Sequence, residues 1–497
     1  MPLSYRSTRS ASDSLPPVDA ATALLAGLAP DGGLYVPVEI PHLDPELLRK
    51  GPLSFPELMF RVIRPFFSTL PEDALRSSVE RAACLFDTEA VAPLVHAGGL
   101  HVLELFHGPT LAFKDIALTL FGSLLSLARE VSGQGEKLIV IVATSGDTGS
   151  AALSGLEGLG GVRVVVLYPS EGVSEVQRLQ MTTRDSPDSL VLGVKGTFDD
   201  AQRIAKKLLV DQAARARFAA AGYSPCSANS INVGRLIPQI SYYVHSFREL
   251  RAAGLLGPSG LMDVAVPSGN FGNVLAAWYA RRMGLPIGNF LVSTNRNRVL
   301  ADFLETGSYD RNRAFHLTTS PSMDILVSSN VERLLFEATG RDPARTAALM
   351  SSLAGAGRYT LTDTERAAFA DFRGHAVDDE GASREIGRVF AESGYLLDPH
   401  TATAAAALRA LGAINPTVIT ATASPFKFAG TVARAIGAAT ADGGRAGEFA
   451  TLARVAAKAG LELPTALAGL ETKTERHRRS YAPEDIPSAI DSWLQDR

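Results

Sequence analysis

The sequence runs to 497 residues, of which 46% are hydrophobic and 20% charged, with a formal net charge of −4. That length suits about two to four domains, and the faintly acidic balance gives no reason to expect nucleic acid or an anionic membrane as partner. Two cysteines, Cys84 and Cys226, cannot form a disulfide framework and sit in no CxxC or Cys/His cluster, so neither a stapled secreted fold nor a metal site is expected. The start, MPLSYRSTRSASDSLPP, lacks the apolar core of a signal peptide, and no apolar run reaches the ~20 residues that span a bilayer. A cytoplasmic protein is expected.

Residues 1 to about 20 are rich in Ser and Pro, and DGGLYVP (Asp31 to Pro37) reads as a glycine turn into a short extended run. From about 44 to 91 the pattern is helical, so 1–100 reads as a largely helical N-terminal unit. From 101 the rhythm changes. HVLELFHGPT is a strand and turn, and LAFKDIALTLFGSLLSLA a helix with apolar residues every three to four positions. KLIVIVAT (137–144), VRVVVLYPS (162–170) and SLVLGVKG (189–196) are apolar runs of the kind that form parallel strands buried on both faces. TFDDAQRIAKKLLVDQAARARF reads as one helix capped by Thr197. LMDVAVPSGNFGNVLAAWYARRMG (261–284) is strand, glycine loop and helix. NFLVSTN (289–295) and TVITATAS (417–424) are further strands, the last leading to a helix PFKFAGTVARAIG, while KTERHRR (473–479) reads as solvated helix and loop. This alternation predicts an α/β fold with mainly parallel sheets, a larger domain from 101–136 and 255–497 and a smaller one from 137–254.

Four stretches could carry chemistry. In HGPTLAFKDIA (107–117) a single lysine, Lys114, follows a Gly108-Pro109 bend and opens a helix among Leu111, Phe113 and Ile116. Poor solvation there disfavours the ammonium form and frees the amine as a nucleophile, although on this stretch alone a solvated lysine is the commoner outcome. SGNFGN (268–273) lies between a strand and a helix, where glycines and helix N-terminal amides suit a phosphate; it is not GxGxxG. SGDTG (145–149) takes the same position in the other half, though Asp147 argues against a simple phosphate loop. Arg235, at the head of the helix in SINVGRLIPQISYY (230–243), is a candidate clamp for carboxylate or phosphate. The histidines form no HxH or HExxH pattern, and His107 and His400 are expected to be structural.

One lysine and two anion cradles on two α/β halves point to pyridoxal phosphate, which needs an amine, a phosphate cup and a partner for its ring nitrogen. At this point the chain resembles the threonine synthases, in the β-family (fold type II) of pyridoxal-phosphate enzymes. The resemblance rests on STR and GLAPDGGLYVP near the start, HGPTLAFKD, ATSGDTGSAA, SINVGRLIPQISYY, VPSGNFGN, SPSMDILVSSNVERLLF, LDPHTA and TASPFKF, in that order along the chain. It implies that Lys114 is the Schiff-base lysine. It also implies that Gly269, Asn270, Phe271, Gly272 and Asn273 hold the pyridoxal 5'-phosphate phosphate, and that Thr422 lies near the ring nitrogen. Asp147 falls beside the cofactor, and Ser145, Thr148, Ser230 and Arg235 at positions that hold the substrate. The activity implied is conversion of O-phospho-L-homoserine and water to L-threonine and phosphate, in a monomer or homodimer that uses no metal. Two motifs depart: relatives commonly read TAHPAKF where this chain has TASPFKF, with Ser424 and Phe426, and the family's segment after STR is replaced here by SASDSLPPVDAA. The alternatives are a phospholyase or hydroxyamino-acid dehydratase that releases a keto acid, and, less favoured, a non-catalytic binding protein.

Overall fold

A computed structural model describes residues 2–10, 14–49, 51–133 and 135–495. The apolar runs become strands and sort into two sheets. The larger sheet has the strand order 372–376, 287–294, 262–267, 417–421, 100–104, 94–97, and is parallel except for the hairpin pairing 94–97 with 100–104. The smaller sheet has the order 480–481, 189–194, 162–169, 137–143, 223–227, parallel throughout.

Parallel strands covered on both faces bury alternate side chains in different cores. In the larger sheet Val264, Val266, Phe290, Val292, Val418 and Leu103 join one apolar cluster with the N-terminal helices and the smaller sheet. Ala265, Leu291, Ile419 and Val102 point the other way, into a second cluster with the helices Asp379–Ser393, Pro399–Leu411, Ala429–Ile436 and Gly444–Ala459. The larger sheet is thereby a two-sided scaffold.

The N-terminal stretch is largely helical, with helices at Ala20–Ala26, Phe55–Ile63 and Glu72–Ala83 and one small antiparallel pair, Tyr5–Ser7 with Tyr35–Pro37. It is tied to distant segments by ions as well as by packing. Arg9 makes a bidentate contact with Glu332 (2.8 and 2.6 Å), and Thr8 adds a 2.6 Å hydrogen bond to the same carboxylate.

Several expectations need correction. The helix expected over TFDDAQRIAKKLLVDQAARARF is two, Phe198–Val210 and Gln212–Ala220, because the Asp211 side chain accepts from Ala214 N–H and starts a second helix. Thr197 does cap the first, in a reciprocal box with Asp200. PFKFAGTVARAIG begins as a 3₁₀ turn, Pro425–Phe428, before the helix Ala429–Ile436. The stretch 255–497 is not spatially of one piece, since Ser480–Tyr481 adds a strand to the smaller sheet beside Gly193–Val194. The basic run before it is mostly exposed, as expected, but is all loop with no helical part, and it is anchored to the smaller unit: Glu475 pairs with Arg178, and Arg476 and His477 N–H groups donate to Thr182 O. Among the described residues no helix is long and apolar enough to cross a membrane.

Candidate active site

Ligands of open parallel sheets gather at the carboxyl ends of the strands, and one cleft lies at such ends in both sheets. It is lined by Lys114, Ser145, Asp147, Thr148, Ser230, Arg235, Gly269 through Asn273 and Thr422, so every site residue expected from the sequence is brought together there. Phe113, Asn229, Gln239, Ser322, Met323 and His400 complete much of the wall.

Lys114 directly precedes the helix Asp115–Ser132. Its loop is shaped by close approach. A Cβ on Gly108 would lie 2.4 Å from Asp115 Cβ, and Leu111 takes a positive φ of 60°. Thr110 clasps the buried Asp115 through its N–H (2.9 Å) and Oγ1 (2.6 Å). The loop is stitched to the last motif by Phe113 N–H to Thr422 O (2.9 Å) and Ser424 N–H to Leu111 O (3.0 Å). Lys114 Nζ reaches Asp147 Oδ2 at 3.2 Å, with its side chain 13% exposed. Burial lowers its pKa, Asp147 offsets part of that, and the nearby Lys427 ammonium lowers it again.

The Ser268–Asn273 loop turns the strand Met262–Pro267 into the helix Gly272–Arg282. Phe271, the residue before the helix, has φ 64°, a strained conformation for a non-glycine residue and one that clusters at ligand sites. The loop is braced from within: Asn273 accepts from Ser268 Oγ (2.9 Å) and donates to Pro267 O (2.8 Å). It is braced from outside as well, because Ser328 Oγ donates to Gly269 O and Asn330 donates to Asn270 O. Among the described residues the N–H groups of Asn270, Phe271 and Gly272 find no acceptor within the protein, which leaves them for an anion.

The Ser145–Gly149 loop follows the strand Lys137–Ala143 and opens the helix Asp147–Leu156. Thr144 Oγ1 accepts from Gly146 and Gly149 N–H, and Gly146 has φ 130° with no room for a Cβ, which would lie 2.5 Å from the Gln177 side chain. Asp147 is buried and fully engaged. Its Oδ1 takes Lys427 Nζ at 2.7 Å and Gln177 Nε2 at 2.8 Å, and its Oδ2 takes Lys114 Nζ and, at 3.0 Å, Ser322 Oγ. Burial alone would raise its pKa, but Lys427 and then Lys114 hold it well below the usual carboxylate range.

Arg235 is 3% exposed; it donates to Ala228 O, while its buried Nε has no partner. Burial brings its pKa down to about 10. A guanidinium so placed is short of an anion. Ser230 Oγ accepts from Asn330 Nδ2 at 3.0 Å, and the fully buried Arg333 donates to Ser230 O and Ile231 O, fixing that turn.

The comparisons agree with this geometry. Residues 4–83 match the family model described as threonine synthase N terminus, and residues 85–424 the model for pyridoxal-phosphate dependent enzymes. A threonine synthase of Pseudomonas aeruginosa is 41% identical over 437 residues, covering 87% of this chain and 90% of that one. One from Saccharomyces cerevisiae is 36% identical over 467 residues, covering 87% and 89%. The chain belongs to the threonine synthase family. A crystal structure of a PLP-bound threonine synthase from Brucella melitensis superposes with a TM-score of 0.85 at 35% identity over 99% of both chains. The yeast threonine synthase structure gives 0.85 at 33%, again over 99% of both. Like its family, this chain is an enzyme of fold type II, and its cofactor is pyridoxal 5'-phosphate.

The residues present fit that group: a largely buried amine and unspent amides at a helix N-terminus share one cleft with an arginine that has no carboxylate in salt-bridge contact among the described residues. Three further residues support the threonine synthase cleft without having been expected to: Ser322 lines it, while Lys427 and Asn330 stand behind its lining. Lys427 lay inside TASPFKF without a role, yet it is 0% exposed and salt-bridged to Asp147. Ser322 and Asn330 lay inside SPSMDILVSSNVERLLF and brace Asp147 and the Asn270 turn. His400, expected to be structural, lies in the wall of the cleft, where Nδ1 meets Asp398 (2.8 Å) and Nε2 accepts from Ser322 N–H (3.2 Å). His107 is held between Asp87 and Glu104. Ser424 and Phe426, which depart from the family motif, are not among the residues lining the cleft. Ser424 Oγ accepts from Phe426 N–H to cap the turn, and Phe426 packs in the second apolar cluster.

Proposed function

We propose that this chain is a threonine synthase that converts O-phospho-L-homoserine and water to L-threonine and phosphate, the last step of threonine biosynthesis. The observation that carries the reading is a largely buried, carboxylate-paired Lys114 that shares one cleft with a loop of unspent amides and with Arg235, which has no carboxylate in salt-bridge contact among the described residues. Lys114 is assigned as the Schiff-base lysine. Gly269 through Asn273 are assigned to the cofactor phosphate, Thr422 to its ring nitrogen and Asp147 to the cofactor side of Lys114. When bound, pyridoxal phosphate supplies a ring that accepts negative charge from the substrate's carbons.

The chain's own residues do the rest. Arg235, Ser230, Ser145 and Thr148, all in the wall of the cleft, hold the substrate's phosphate and carboxylate. Lys114 Nζ, with its ammonium disfavoured by burial, takes the proton from substrate Cα and serves as proton carrier to the neighbouring carbons, a span its four-carbon stem permits. Asp147 receives Nζ when it is charged, so proton gain and loss occur at a fixed position. The cleft lies between two sheets, which lets the smaller unit, 137–254 with the docked 480–495 segment, close on the larger one and exclude water.

The burial of Ser424 and Phe426 away from the cleft favours the synthase over a phospholyase. Product analysis with O-phosphohomoserine tests the reading. Threonine and phosphate in equal amounts are expected; phosphate with 2-oxobutyrate and no threonine overturns it. A cytoplasmic monomer or homodimer, without nucleic acid or membrane partners, is the setting proposed.

A further inference from the structure

Two buried cations, Lys427 and Arg235, and the partly exposed Lys114 share the cleft region with two buried carboxylates, Asp147 and Asp115. With Lys114 as a neutral amine these charges balance, two against two. Buried charges persist when paired and hydrogen-bonded, so the balance turns on which cation is permanent. Arg235 is held by Ala228 O, and Lys427 by Asp147 Oδ1 (2.7 Å) and Thr110 O (2.8 Å). The same Thr110 clasps Asp115, the residue after Lys114. Lys427 thus spans the two loops that present Lys114 and Asp147. Gln177 Nε2 shares Asp147 Oδ1 with it, leaving Oδ2 for Lys114 and Ser322.

We infer that Lys427 is a positioning residue for the reaction: its buried ammonium is the standing counter-ion of Asp147, fixing that carboxylate so that Lys114 can gain and lose its proton without leaving an unpaired charge behind. The inference rests on the reading of Lys114 as the cofactor lysine. The remaining titratable groups nearby work around this axis. Asp115 acts on Lys427 and Arg235, Arg235 adds repulsion at Lys114, and His400, tied to Asp398, faces Asp147.

Two variants separate this role from a structural one. Lys427→Met keeps the stem and removes the charge. Lys114 then becomes the sole lysine partner of Asp147 and loses a repelling neighbour, so its titration midpoint rises, by about one pH unit or more. Asp147→Asn removes the attraction and keeps the repulsion, so the midpoint falls. The readout is the pH dependence of Lys114 acetylation by acetic anhydride in cofactor-free protein, followed by peptide mass, alongside the acid limb of kcat/KM in the loaded enzyme. Shifts of opposite sign support the inference; a Lys427→Met midpoint that is unchanged or lower overturns it. Should Lys427→Met not hold its fold by thermal melt, Asp147→Asn decides, and an unchanged or raised midpoint there overturns the inference. Borohydride reduction and peptide mapping test Lys114 separately: cofactor found on another lysine overturns that reading, whatever the midpoints.

Discussion

The two glycine-rich turns of this enzyme start from one local plan and end in different chemistry. Ser145–Gly149 and Ser268–Asn273 each follow a buried parallel strand and open a helix, and each owes its shape to a residue at positive φ, Gly146 and Phe271. The Ser268–Asn273 turn carries no charge; its polar side chains turn inward to brace it, which leaves backbone N–H groups outward. In the other, a carboxylate takes the first helical position and collects two ammonium groups. A strand-to-helix turn therefore keeps its own charge free for an outside anion only when the chain has not placed a carboxylate at the helix start. Asp147 takes that place in one turn, where the Ser145 and Thr148 hydroxyls are what is left for a substrate anion, while the other turn offers uncommitted backbone N–H groups to the proposed cofactor phosphate.

This contrast can be broken by experiment. Removing the amine that both turns serve has the largest effect: Lys114→Ala is expected to abolish threonine release, measured against a background without enzyme. Placing a carboxylate in the uncharged turn comes next. Asn270→Asp should weaken pyridoxal-phosphate affinity by about 100-fold or more at the few-ångström separations involved, read by equilibrium dialysis. Asp147→Asn should instead retain the cofactor and lower kcat by about tenfold or more, since the proton-carrying amine loses its partner. If both variants lose cofactor alike, the two turns are not specialised. Gly146→Ala meets Gln177 at 2.5 Å in a conformation that suits glycine, and should cost about 1–3 kcal/mol in a denaturant titration. The smallest effect concerns His107, at the start of the Lys114 loop. Burial disfavours its charge, yet Glu104 and Asp87 outweigh this and raise its pKa. Its stabilising contribution is then complete below about pH 6.5 and fades as pH rises through the raised value. The Tm gap between the wild type and His107→Gln should accordingly shrink from pH 6 to pH 9, for an effect on the order of 1 kcal/mol or less.

Much of this was legible in the sequence where a signal is strong and local. Long apolar runs such as 137–144 and 162–170 admit few outcomes other than buried strands, and Thr197 with Asp200 spells out a helix start. Phe372–Ala376 escaped because FRGHA is a half-buried edge strand interrupted by Arg, Gly and His, with no alternation to detect. Tyr223–Ser227, the opposite edge of the other sheet, contains Pro225, which reads as a break. At the site the motifs located every lining residue that was sought, since each lies next to a turn glycine or helix start. Lys427 stayed silent for another reason: a lysine between two phenylalanines looks solvated or structural until Asp147, 280 positions earlier, is seen against it. Pairing across that distance has no local pattern.

The short strand Ser480–Tyr481 also bears on the order in which the molecule can be made. It covers the end of the 189–194 edge, at Gly193 and Val194, in a strand that leaves the ribosome long before this neighbour is translated. Throughout that interval the nascent chain presents an unpaired parallel edge, a ready template for strand addition by another polypeptide. Because the covering residues follow every strand of the larger sheet along the chain, the smaller sheet reaches its final breadth only after the larger one has all of its strands. The enzyme's exposure to misassembly is thus set by elongation time as much as by the stability of the finished fold.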